Sequence, residues 1–101
     1  MILRSLTIAA GALSIAFAAG PASATGKMTC DAPQAQWKTL AKLEASLKKQ
    51  GWHVRKSKVD GGCYEVYGTD PEGNRVEAYF HPVSFKKLLV SRRGQILYRA
   101  R

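Results

Sequence analysis

A chain of 101 residues allows one small domain. Its 16 Lys and Arg against 7 Asp and Glu give a formal charge of +9, which suits anionic surroundings. The spacing of its two cysteines, Cys30 and Cys63, excludes a CxxC redox pair.

The chain opens with "MILRSLTIAAGALSIAFAAGPASA". Arg4 supplies a short charged n-region, an apolar stretch follows from residue 6 to about 19, and Pro21 then breaks any helix. Ala22-Ser23-Ala24 matches the small-residue cleavage pattern. The apolar run is short and alanine-rich for a membrane span. Residues 1–24 therefore read as a signal peptide cut after Ala24, with an uncleaved anchor as the alternative. Residues 25–101 read as a single domain in the periplasm or outside the cell. No Cys sits just after the proposed cut, so a lipid anchor is not indicated.

Export changes what the charge and the cysteines mean. Nucleic acid is not the expected partner there. Lipid headgroups, envelope polysaccharides and acidic protein faces are. Two cysteines in an exported domain usually pair. A Cys30–Cys63 bond would close a loop of about 34 residues and stabilise by about 3–4 kcal/mol. A two-cysteine metal site would lack nearby partners.

"TGKMTC" reads as an extended lead-in held by Cys30. "DAPQAQWKTLAKLEASLKKQG" carries the helical signal, with Trp37, Leu40, Leu43 and Leu47 at helical spacing. Asp31 with Gln34 resembles a capping box. Thr39 is a second possible N-cap, with Trp37 then packing just before the helix. Glu44 and Lys48 are placed for an i,i+4 pair, and Gly51 fits the residue after the helix.

The period switches after Gly51. "WHVRKSKV" predicts a strand with Trp52 and Val54 on one face. Its polar, lysine-rich far half suggests a bulged edge strand. Next comes "GGCYEVYGTDPEGNRVEAYF", two strands about Asp70-Pro71-Glu72-Gly73. A type I turn with a following bulge pairs Asp70 with Asn74, Tyr67 with Glu77, Glu65 with Tyr79 and Tyr64 with Phe80. The core face is then Tyr64, Val66, Gly68, Val76, Ala78 and Phe80, with Gly68 leaving space for a helix side chain. The wet face is Glu65, Tyr67, Thr69, Arg75, Glu77 and Tyr79. Beyond His81-Pro82, Leu88 and Val90 alternate, as do Ile96 and Tyr98, about an Arg92-Arg93-Gly94 turn. A second hairpin is the preferred reading; a short helix over residues 84–93 is the alternative.

The run from Gly51-Trp52 through Tyr64-Glu65-Val66, Asp70–Gly73, Val76-Glu77 and Tyr79 resembles the PepSY domain, over about residues 30–82. The upstream "CDAP", Trp37 and a Cys30–Cys63 pair are similar to its small exported forms. His81 stands where the pattern often has Asp before Pro, and the basic segment of residues 83–101 replaces a shorter ending. The resemblance implies a non-catalytic module; PepSY domains occur in propeptides of secreted metallopeptidases and in envelope proteins, with a proposed role in restraining peptidases. It brings no catalytic residue and no cofactor.

The residues agree with that expectation. His53 and His81 have no local acid or nucleophile to form a catalytic set. No two residues have metal-ligand spacing. Glu65 and Glu77 would sit on an open sheet with no cleft to raise a pKa. The candidate partner surface is Glu65, Tyr67, Arg75, Glu77 and Tyr79, rigid aromatics flanked by charge. Such pairs also cover ordinary exposed sheets. Arg55, Lys56, Lys58, Lys86, Lys87, Arg92, Arg93, Arg99 and Arg101 would form one basic patch if the last hairpin lay near the edge strand, and that patch suits anionic lipid or an acidic partner. The expectation is an α+β domain, one N-terminal helix on an antiparallel sheet of about four to five strands. Its expected function is to bind a peptidase or another envelope protein. A basic adaptor at the membrane surface is the alternative, and a small-ligand or metal binder the third.

Overall fold

The structure is a computed structural model and describes residues 27–101; the proposed signal segment lies outside the described residues. A 3-10 turn at Gln34–Gln36 leads to α1 (Leu40–Lys49). Five strands follow: β1 (His53–Asp60), β2 (Cys63–Thr69), β3 (Arg75–Phe80), β4 (Lys87–Arg92) and β5 (Gln95–Arg99). They form one antiparallel sheet in the order β1-β2-β3-β4-β5. This is an α+β fold, with the helix on one face of the sheet.

Thr39, not Asp31, caps the helix: its side chain accepts from the Lys42 amide at 3.1 Å. The reason lies upstream. Trp37 is spent on the sheet, edge-on to Tyr64 with ring centroids 5.7 Å apart. Lys38 N donates to Pro82 O, and Tyr64 OH donates to Lys38 O at 2.6 Å. These bonds hold residues 37 and 38 extended until Thr39 can start the helix. Glu44 accepts a hydrogen bond from Ser57 on β1 and so ties helix to sheet.

Leu43 and Leu47 are buried against Tyr64, Val66, Val76, Ala78, Phe80 and Val90, with Trp52 closing the end. At roughly 1.5–3 kcal/mol for each fully buried large apolar side chain, this cluster is the main driving force for the fold. The β2–β3 register follows the turn as expected: Tyr64 faces Phe80, Glu65 faces Tyr79 and Tyr67 faces Glu77. Gly73 N donates to Asp70 O, and Asp70 Oδ1 accepts from the Glu72 and Asn74 amides.

Gly68 differs from expectation. A Cβ there would meet His53 O of β1 at 2.2 Å, not a helix side chain. The strand-to-strand approach at the β1 bulge, where the pairing slips between Val54 and Lys56, is what requires glycine. The second hairpin is present. Arg93 and Gly94 have φ of 51° and 82°, both positive as a two-residue I′ turn demands.

Candidate partner-binding surface

The face of the sheet away from the helix was expected to be wet. Half of it is not. Residues 27–30 run across it as a strap. Cys30 is bonded to Cys63 at the start of β2, and Cys30 N donates to Gly61 O at 2.9 Å. A Cβ on Gly61 or Gly62 would stand 2.4 Å from the carbonyl oxygen of Met28 or Cys30 respectively, so only glycines let the strap seat. Lys27 Nζ pairs with Glu77 Oε1 at 2.9 Å and pins the other end. Met28, Cys30 and Leu88 pack on Cys63, Tyr79 and Leu89 to make a second, smaller core.

This corrects the candidate surface. Glu65 and Tyr79 are both 0% exposed and cannot contact a partner while the strap is in place. Tyr79 OH instead donates to Asp60 Oδ2 at 2.9 Å, and Asp60 is itself buried. Neither Glu65 oxygen meets a donor in full hydrogen-bond geometry, and Lys58 Nζ stands 3.8 Å away. Burial pushes the Glu65 carboxyl above its ordinary range; the hydroxyls of Tyr67 and Tyr79 and the Lys58 charge pull it back only in part.

Tyr67, Arg75 and Glu77 remain accessible, Arg75 exposed and the other two half-buried. Tyr67 lies under the ammonium groups of Lys56 and Lys58, 5.0 and 5.9 Å from its ring centroid. Desolvation, then the Glu65 carboxylate beside its hydroxyl, raises its pKa to about 12, helped by the charges of Glu77 and Asp60. Beside it lies a shallow hollow of about 150 Å³, lined by Tyr67, Glu77 and Ser91 and by four arginines, Arg55, Arg75, Arg92 and Arg93. Arg55 reaches it from the β1 bulge and Arg92 and Arg93 from the β4–β5 turn. Arg92 is steadied by Asn74 Oδ1, 3.4 Å away.

The single basic patch does not form. β1 and β5 are opposite edges of the sheet. Three strands therefore lie between Lys56 and Lys58 on β1 and β5, which carries Arg99. Arg55, Arg92 and Arg93 converge, and Arg75, not counted in that patch, joins them. Lys86, Lys87, Arg99 and Arg101 belong to a separate surface on the last hairpin. The histidines are also apart. His53 is exposed at the start of β1, while His81 Nδ1 accepts from the Val83 and Ser84 amides. Among the described residues no group of three or more His, Cys, Asp or Glu is placed to hold a metal.

No hydrophobic period reveals the strap, since "KMTC" is too short to show one. One signal was available. Leu88-Leu89-Val90 is apolar on both faces of its strand, which is the pattern of a strand covered on both sides.

One helix on a five-stranded antiparallel sheet, with charged and aromatic groups on a shallow surface, defines a small α+β module. The family model described as "Peptidase propeptide and YPEB domain" matches residues 8–89. The chain belongs to this PepSY family. The match ends before β5, so the final strand lies beyond it. No curated protein and no solved structure matches the chain.

Proposed function

We propose that the chain is an exported, non-catalytic PepSY module that docks on a protein of the cell envelope, a peptidase included, and restrains it. The observation that supports this reading is the hollow at Tyr67. Four arginines, whose planar guanidinium groups can bind carboxylates bidentately, line the hollow beside one half-buried phenol. Such a site suits the carboxylates of an acidic segment, with the Tyr67 ring as the apolar contact. The relation to peptidase propeptides supports a peptidase as the partner class.

The test is affinity capture from envelope extract with the disulfide-bonded protein, followed by assay of the captured fraction for peptidase activity with and without added protein. Wild type and a Lys42→Gln control on the outer helix face retain the same partner. Tyr67→Ala and Arg55→Gln/Arg75→Gln lose it. Retention of every partner by the hollow variants would overturn the reading.

A further inference from the structure

The last hairpin carries a surface the Tyr67 hollow does not use. Among the described residues β5 is the outermost strand, with no neighbour beyond it, and all five of its residues are exposed. Three large apolar side chains follow one another there: Ile96 is 49% exposed, Leu97 45% and Tyr98 41%. They point to both sides of the sheet edge. Tyr98 lies opposite Val90 on the helix side, Ile96 opposite Ser91 on the strap side, and Leu97 is the extra residue of the bulge between them. β1, the other edge, carries Arg55, Lys56 and Lys58 and is protected in the usual way by charge. β5 has no such protection along its middle.

Charge surrounds this apolar ridge. Arg92 and Arg93 stand at one end, Arg99 and Arg101 at the other, and Lys87 Nζ lies 4.5 Å from the Tyr98 ring centroid. No Asp or Glu follows Glu77 anywhere in the sequence. Three occupants can be compared. An added peptide strand needs a regular row of backbone donors and acceptors, and the Leu97 bulge interrupts that row. A second copy would bring the same arginines against themselves. A lipid surface makes no demand on register. It accepts apolar side chains on both flanks of a ridge, seats Tyr at the level of the headgroups, and matches the cations with anionic charge.

We propose that the β4–β5 hairpin docks edge-first on an anionic lipid membrane, with Ile96, Leu97 and Tyr98 in the interface and Lys87, Arg99 and Arg101 on the headgroups. This leaves the Tyr67 hollow for a protein partner, and the two readings fail independently because different residues test them.

The experiment is co-sedimentation of the full disulfide-bonded chain with vesicles of phosphatidylcholine alone and of an equimolar mixture with phosphatidylglycerol. Variants are first checked for native circular dichroism. Binding is expected only to the anionic vesicles. Arg99→Gln/Arg101→Gln weakens it on the order of tenfold or more, from the charge near the surface that is lost. Ile96→Ser/Leu97→Ser weakens it to a similar degree, while Lys42→Gln/Lys49→Gln, an equal loss of charge on the helix, has little effect. Absence of binding, equal binding to both vesicle types, or equal loss in the helix variant would overturn the proposal. So would undiminished binding by the Ile96/Leu97 variant. Capture of polyglutamate in preference to vesicles would assign the surface to an acidic protein, and concentration-dependent dimerisation lost in the Ile96/Leu97 variant would assign it to a second copy.

Discussion

Tyr79 OH donates to Asp60 Oδ2 at 2.9 Å, and this bond joins the C-terminal end of β3 to the end of β1 across the whole width of β2. Both partners are buried, and the strap packs on Tyr79. A phenol that the strand period assigns to solvent is thus a structural donor to a buried carboxylate. Tyr79→Phe keeps the ring and removes the donor. It is expected to lower stability by about 1–3 kcal/mol, as for other buried polar groups deprived of a partner. Urea unfolding followed by tryptophan fluorescence would measure the change.

Glu65 gives a prediction in pH. Its folded pKa is raised above the ordinary 4.5, chiefly by burial. The folded state therefore holds the proton more tightly than the unfolded chain. Its contribution is fully present below pH 4.5 and is lost as pH rises through the folded pKa. Glu65→Gln cannot ionise, so its stability relative to wild type should improve from pH 4 toward pH 7. Tyr67 has the same sign at the alkaline end. Stability present below pH 10 is lost as pH rises through about 12, and Tyr67→Phe should flatten that limb. Stability measured against pH checks both.

The Cys30–Cys63 bond holds the strap, and the strap holds the second core. Cys30→Ser/Cys63→Ser is expected to cost about 3–4 kcal/mol from loop-closure entropy alone. Loss of the packing of Met28 on Leu89 and Tyr79 would add to it. The check is the urea midpoint of the variant beside that of wild type with and without reductant.

Gly68 gives a steric prediction. Its missing side chain is what lets the β1 backbone pass, with His53 O only 2.2 Å from where a Cβ would sit. Gly68→Ala should destabilise by about 1–3 kcal/mol, because backbone rather than a flexible side chain must move. Thermal unfolding measures it.

The parts of the fold that were legible share a local cause. Pro71 and Gly73 fix the turn, the turn fixes the β2–β3 register, and the register assigns Val66 and Ala78 to the helix side. Thr39 and Gly51 bracket α1 with ordinary capping chemistry. What stayed hidden depends on contacts distant in sequence. Whether Glu65 and Tyr79 face water turns on four residues tied down by Cys30, and alternation along β2 and β3 carries no information about them. The basic residues were misgrouped for a similar reason. Charge is visible in a sequence, but the strand order that parts β1 from β5 is not.

The strap is the feature on which the choice of docking surface rests, and nitration of the four tyrosines with tetranitromethane, read by peptide mass spectrometry, tests it most directly. In the folded, oxidised protein Tyr98 should react first and Tyr67 more slowly, while Tyr64 and Tyr79 stay protected; in Cys30→Ser/Cys63→Ser, Tyr79 should become reactive. Nitration of Tyr79 in the oxidised protein at the rate of Tyr98 would contradict a covered face and return Glu65 and Tyr79 to the surface.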